Sequence, residues 1–349
     1  VTERAAAAPI LSVDNLTVSI RKGPQTSHIL EDVSFTVSPG EARGFVGESG
    51  SGKSMTLRAI LGILPPTIAV TSGSVTFQGE QIVSASQDGR RSSRLAKLRG
   101  AGISMIFQEP SVSLNPVTTV GEQIVDAVRR REHMSRRQAR EYALHLMDLV
   151  GIHDAPSKLG AYPFELSGGL RQRVMIAAAV AGKPRLILCD EPTTALDVTV
   201  QAQILALFTH LRDELDAALL YVTHDLAVVA QLCDSLTVLY SGKVMESRQD
   251  LRAALADPRH PYTRALLQST PDIDRIEQRL RTIPGSAPSP SDRPAGCPFA
   301  PRCDRVEDDC RSGPVPDVST APEVVVHCRH PVGGLAAPDD QLEPDGARA

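Results

Sequence analysis

Residues 44–54 read Gly44-Phe45-Val46-Gly47-Glu48-Ser49-Gly50-Ser51-Gly52-Lys53-Ser54. Three residues of strand character lead into a glycine-rich loop. The loop leads into a stretch of helical character, Met55 to Leu64, that stops at Pro65-Pro66. The loop matches G-x-x-x-x-G-K-S. Its glycines let backbone N–H groups wrap phosphate oxygens, and the helix N-terminus adds positive potential. In this pattern Lys53 reaches the β- and γ-phosphates and Ser54 ligates Mg²⁺. An ordinary Gly/Ser loop would need neither neighbour; the strand before and the helix after are the context the pattern requires.

Outward from the loop, strands and helices alternate. On the N-terminal side, residues 10–46 alternate apolar and polar (Ile10, Leu11, Val13, Leu16, Val18, Ile20, then Val33, Phe35, Val37) and read as short strands joined by the turn-rich stretch Gly23–Ser27. On the other side, Ser74–Gln78 reads as a strand, Ser84–Leu98 as a polar stretch and Ile103–Phe107 as a short apolar run. Ser135-Arg-Arg-Gln138 is a capping-box pattern, with a helix behind it that Gly151 ends. A second helix spans Ser167 to Ala181 and is closed by Gly182 and Pro184. Three buried-strand runs follow, Leu186–Cys189, Leu219–Thr223 and Leu236–Tyr240. The alternation indicates an α/β protein with a largely parallel sheet.

Composition excludes several classes. The 349 residues allow two domains, or one large domain with an appendage. A net charge of −4 argues against a general DNA or RNA binder, and 3% aromatics without Trp argues against base-stacking surfaces. No run of 18 apolar residues crosses a membrane, and the apolar stretch near the N-terminus is too short for a secretory signal. A cytoplasmic setting with reduced thiols is therefore expected. After His260, Pro, Arg, Asp and Cys become frequent and periodicity fades, which places a domain boundary near there. Residues 331–349 carry few large apolar groups and are expected to be disordered.

Two further stretches suit a nucleotide site. Leu186-Ile-Leu-Cys189-Asp190-Glu191 is an apolar strand that ends in two acids, one suited to hold Mg²⁺ and the other to polarise water. Leu166-Ser167-Gly168-Gly169-Leu170 opens a helix with a hydroxyl and exposed N–H groups, either a plain N-cap or an anion site.

With Gln108 in Ile106-Phe107-Gln108-Glu109-Pro110 and His224 after Leu219–Thr223, these motifs stand in a fixed order over about residues 10–250. The combination resembles the ATP-binding subunits of ABC transporters. The resemblance implies a P-loop ATPase domain over 10–258, with a mostly parallel core sheet, an antiparallel β subdomain and a helical subdomain at about 108–182. It implies two subunits closing head to tail, each ATP lying between one subunit's loop (Gly47, Glu48, Ser49, Gly50, Ser51, Gly52, Lys53, Ser54, Met55) and the other's signature (Ser167, Gly168, Gly169, Leu170). It assigns Glu191 as general base, His224 to the γ-phosphate, and Gln108 to Mg²⁺, water and the membrane subunits. Mg²⁺ falls to Ser54, Gln108 and Asp190. Two positions depart from the family pattern: Ile20 stands where an aromatic usually stacks on adenine, and Leu170 where many relatives have Gln.

Three stretches narrow the branch. Gln108 through Gln123, Leu170 through Ile176, and His260-Pro261-Tyr262-Thr263-Arg264-Ala265-Leu266-Leu267 resemble importers of oligopeptides, dipeptides or nickel, in their D-type ATPase subunit. The implied partners are a second ATPase subunit of F type, two transmembrane permeases and an extracytoplasmic peptide-binding protein, with the chain peripheral at the cytoplasmic face of the membrane. Nickel uptake remains an alternative, as does a soluble ATPase of this fold acting on nucleic acid or in translation.

Cys297, Cys303, Cys310 and Cys328 follow the spacing C-x5-C-x6-C-x17-C in a segment poor in apolar residues. That spacing is wider than zinc-ribbon pairs and matches neither common ferredoxin pattern. A metal there would supply folding energy that a core cannot. The resemblance implies a C-terminal extension, 259–330, of peptide-importer ATPases, some of which carry a 4Fe–4S cluster. Iron–sulfur, zinc and free thiols all stay open, with a structural staple as the expected role. His327 beside Cys328 reads as a packing residue, and Cys189 and Cys233 as small buried hydrophobes.

Overall fold

The computed structural model describes residues 8–22, 25–85, 93–130, 134–194, 196–269, 282–319 and 323–333. From residue 334 onward, the tail expected to be disordered lies outside the described residues.

In chain order the strands are β1 (Leu11–Lys22), β2 (Gln25–Val37), β3 (Ala42–Val46), β4 (Ile68–Phe77), β5 (Glu80–Ser84), β6 (Ile103–Ile106), β7 (Leu186–Asp190), β8 (Ala218–Thr223), β9 (Ser235–Tyr240), β10 (Lys243–Arg248) and β11 (Val324–Val326). The helices are α1 (Lys53–Ile60), α2 (Ser93–Leu98), α3 (Pro110–Ser113), α4 (Val120–Arg129), α5 (Arg136–Leu149), α6 (Ala155–Lys158), α7 (Gly168–Val180), α8 (Val198–Leu215), α9 (Leu226–Leu232), α10 (Leu251–Ala256) and α11 (Pro261–Ser269).

A four-stranded antiparallel sheet has the order β2-β1-β4-β5, and a seven-stranded sheet the order β11-β10-β9-β3-β8-β7-β6. The run from β9 to β6 is parallel. β1 and β2 are longer than the short strands that the sequence suggests. Register shifts between Val13 and Val18 interrupt the period-two pattern there, so one strand reads as fragments. The polar stretch before Leu98 also holds α2, too short and too charged to show helical periodicity.

Strict alternation in the parallel strands builds two cores. Ile187 and Cys189 of β7 share a cluster with Val174 and Ile176 of α7 and Phe208 of α8. Leu186 and Leu188 face the antiparallel sheet and α1, where Leu11, Val13, Leu57 and Ile60 pack. β7 thus shows the continuous apolar run of a strand buried on both faces.

The extension expected beyond residue 258 shares a third core with the ATPase sheet. Val46, Val238 and Tyr240 pack with Leu251, Ala254, Tyr262 and Phe299. β11 then adds to the sheet edge, Val326 opposite Glu246 of β10. The extension is less irregular than its composition implies, because α11 docks on an existing surface and β11 pairs with the sheet edge while packing with Val318 and Cys328 in a small cluster of its own.

Candidate functional site

Parallel pairing brings four chain segments to one edge of the sheet. The loop after β3, Glu191 after β7, His224 after β8 and Gln108 beyond β6 all leave from strand C-terminal ends, where open α/β sheets bind ligands.

Gly47 and Gly52 of the phosphate loop are packed too closely for side chains. A Cβ on Gly47 would lie 2.2 Å from the Leu239 carbonyl oxygen. Gly52 has φ 105°, and a Cβ there would meet Leu30 at 2.5 Å. Lys53 opens α1 and is buried, with Nζ donating to Gly47 O at 2.7 Å and to Glu48 O at 3.0 Å. Burial pulls its pKa below the usual lysine value, against the opposing pull of Glu191 and Asp190. Ser51 Oγ is buried in the same loop without a protein partner.

Ser54 Oγ donates to Asp190 Oδ1 at 2.6 Å. Burial pushes the Asp190 carboxyl up, and the Ser54 hydrogen bond and Arg58 offset this only in part. A divalent cation would relieve the same penalty, which fits these two oxygens as ligands.

Glu191 has φ 45°, in the left-handed region that costs an L-residue about 1–2 kcal/mol. Its N–H donates to Val222 O at 3.0 Å, which anchors the turn. The carboxylate then takes a hydrogen bond from Thr194 Oγ1 at 2.9 Å and lies 3.1 Å from His224 Nδ1. Lys53 Nζ is 3.7 Å from its other oxygen. Thr194 had no signal of its own in the sequence beyond its place in the loop after the acids.

The remaining residues stand apart from this group. Gln108 is exposed, two residues beyond the Ile106–Cys189 pair of β6 and β7, in step with Glu191. Among the described residues no hydrogen bond joins it to Lys53, Asp190 or Glu191. Ile20 is partly buried within the antiparallel sheet, opposite Ser27 and Ile68. That sheet meets the loop at Leu30 and through Glu31, whose N–H donates to Gly242 O, while Gly242 N–H donates to Ser51 O. Ser167 caps α7, its hydroxyl accepting from Leu170 N at 3.3 Å. Ser167 and Gly168 are exposed, while Leu170 is partly buried against the helical core.

The four cysteines of the extension line one cavity, with His260 and Phe299. Burial raises all four thiol pKa values, Cys303 to about 11 and Cys328 to about 12, and neighbouring thiols add to the rise at Cys297, Cys303 and Cys328. Four clustered thiols that resist ionisation are a donor set that a soft cation would stabilise. His260 also lines this cavity, and burial lowers its pKa to about 3. Among the described residues, the three metal-type donor atoms lying within 4.8 Å of one another are those of Asp309, Cys310 and His330. The four thiols are therefore spread wider than the roughly 3.8 Å sulfur separation of a tetrahedral zinc.

Sequence reasoning missed two residues that tie this extension to the phosphate loop. Glu48 N–H donates to the Tyr262 hydroxyl at 3.0 Å, and Arg302 Nη1 donates to Glu48 Oε2 at 2.8 Å. Tyr262 was visible only as part of the His260–Leu267 stretch.

Comparisons with known proteins follow the same outline. A family described as ABC transporter matches residues 30–194, and one described as oligopeptide/dipeptide transporter, C-terminal region, matches residues 248–310. A putative peptide import ATP-binding protein of Brucella abortus is 45% identical over 303 residues, 87% of this chain and 90% of the relative. The dipeptide transport ATP-binding protein DppD of Escherichia coli is 43% identical over 303 residues, 87% of this chain and 91% of the relative. Among solved structures, the ATP-binding cassette MJ0796, a dimer in a post-hydrolysis state with ADP and Pi, aligns with a TM-score of 0.61. It is 29% identical and the alignment covers 69% of this chain and 99% of the cassette.

Proposed function

The chain belongs to the ABC transporter ATPases, on the branch with the oligopeptide/dipeptide transporter C-terminal region, and from this premise we propose how its site works as the motor of a peptide importer. The protein hydrolyses ATP, taken up as MgATP. The carrying observation is that the strand ends bring together the Ser54–Asp190 hydrogen bond and Glu191, which pairs with both Lys53 and His224.

In this reading Gly47 to Met55 hold the triphosphate and Ile20 lies against adenine by apolar contact. Lys53 meets the β- and γ-phosphates, and Ser54, Asp190 and Gln108 take Mg²⁺. Held there, Mg²⁺ would supply positive charge to offset that of the phosphates. Glu191, oriented by Thr194 and His224, accepts a proton from the attacking water. His224 then faces the γ-phosphate. Ser167, Gly168, Gly169 and Leu170 act on the ATP of a partner subunit, which the exposure of Ser167 and Gly168 supports.

The partner is a second ATPase subunit of F type, and the pair drives two permeases supplied by an extracytoplasmic peptide-binding protein. The chain sits peripherally at the cytoplasmic face of the membrane. Exposed Phe107, Val112, Val117 and Phe164 lie beside Gln108 and in the helical region, apolar surface suited to permease docking. The four cysteines hold a 4Fe–4S cluster; their shared cavity and soft donor set support a metal there. A cluster bound there would supply folding energy to a segment with few apolar residues.

The test is Glu191→Gln in the assembled transporter. ATP turnover falls by about 10²–10⁴-fold, the usual share of a general base, while MgATP binding persists. Turnover in the wild type rises with peptide-loaded binding protein and not with DNA or ribosomes. Hydrolysis that survives Glu191→Gln within tenfold would remove Glu191 from the base role.

A further inference from the structure

We propose that Tyr262 and Arg302 are positioning residues for the phosphate loop, and that through them the cysteine-bearing extension sets the affinity of the site for nucleotide. This rests on the reading of Gly47–Ser54 as the nucleotide site.

Glu48 is the joint. Its N–H is taken by the Tyr262 hydroxyl at 3.0 Å and its carboxylate by Arg302 at 2.8 Å. Its carbonyl accepts from Lys53 Nζ at 3.0 Å. One residue therefore connects the extension directly to the lysine that meets the phosphates. A peptide plane is stiff, so its amide and carbonyl directions are coupled to those of its neighbours. Releasing the Glu48 amide lets the loop turn and moves the carbonyls that hold Lys53.

The Arg302 side chain is itself buried and held by several acceptors. It is 6% exposed, and Nη1 also donates to the Tyr240 hydroxyl at 3.1 Å, Nε to Pro284 O at 2.7 Å and Nη2 to Ile283 O at 3.3 Å. It ends a one-turn helix, Ala300–Arg302, strung between two cysteines: Ala300 N–H donates to Cys297 O, and Cys303 N–H to Ala300 O. Displacement of the cysteine loop therefore carries the guanidinium with it. Tyr262 is fixed from the other side, its ring packed on Tyr240 and Phe299 with centroids 4.6 Å and 5.1 Å away. Arg302 also neutralises a carboxylate within a loop that must receive a triphosphate. Without it, Glu48 would repel the ligand.

The test uses the full chain and measures MgATP affinity by competition with a fluorescent ATP analogue, beside the thermal midpoint. Tyr262→Phe keeps the ring packing and removes the acceptor. It should weaken MgATP about 5- to 30-fold, the equivalent of one buried amide left unpaired, with KM raised more than kcat is lowered. Arg302→Gln should weaken MgATP as well, and adding Glu48→Gln should restore most of the loss. A purely structural Arg302 would show no such rescue, because its packing stays lost in the double variant. Unchanged affinity in Tyr262→Phe and Arg302→Gln, or failed rescue by Glu48→Gln, overturns the proposal while leaving the nucleotide site standing. A wild-type chain that fails to bind MgATP overturns the nucleotide reading and the tether with it.

Discussion

Phe299→Ala should destabilise the whole chain by about 3–5 kcal/mol, the range for deleting a buried ring from a packed site. Phe299 is 2% exposed, with ring centroids 5.3 Å from Tyr240 and 5.1 Å from Tyr262. Losing the ring forfeits about 2–3 kcal/mol of burial. The cavity adds to that, because its walls cannot collapse freely. Tyr240 is held by Arg302 and Tyr262 by the Glu48 amide. Phe299→Leu keeps most of the volume and should cost about 1.5 kcal/mol or less. The assay is guanidinium unfolding of the full chain by far-UV circular dichroism, with labelling of Cys189 read by mass spectrometry. Cys189 is fully buried in β7, in the core away from the extension. A shared core predicts that both probes shift together. The reasoning is refuted if dichroism shows an early partial transition while the Cys189 midpoint moves by less than about 0.5 kcal/mol, the scatter of neutral substitutions.

Three other outcomes can be checked. Asp190→Asn should stabilise the nucleotide-free chain at neutral pH while abolishing Mg²⁺-dependent ATP binding. Burial raises the Asp190 pKa, so its stabilising share is present below the unfolded value of 3.8 and is lost as pH rises through the raised one. The gain in melting temperature from Asn should therefore shrink as pH falls toward 3.8; a gain that stays constant with pH contradicts the assignment. Thr194→Val removes the hydroxyl that donates to Glu191 and should slow hydrolysis about 3- to 10-fold at unchanged MgATP affinity, since the contact is partly solvated. Chain purified without oxygen should contain iron and acid-labile sulfide in equal amounts, lost together in Cys303→Ser; zinc in their place would rule out the cluster.

Much of the site was legible because its parts are contiguous. Gly47–Ser54, Asp190-Glu191 and the Ser167 cap each need only their own strand or helix to take shape. The order of these motifs sufficed to identify the family. Thr194 was harder to see, since a threonine in a polar loop has many uses and only the left-handed turn at Glu191 brings it to the carboxylate. The compositional break near His260 suggested a separate unit. Tyr262 and Phe299, however, find their apolar partners on β9, a surface that composition cannot reveal.

The sequence by itself determined the fold class and the phosphate loop, because hydrophobic period, glycine placement and strand-end acids act over a few residues, while the family followed from the resemblance of the ordered motifs. Only the tertiary structure decided what holds the phosphate loop from outside. Glu48 meets Tyr262 and Arg302 across separations of 214 and 254 residues. Contacts at that range depend on strand order and on the docking of one surface onto another, and neither leaves a periodic trace along the chain.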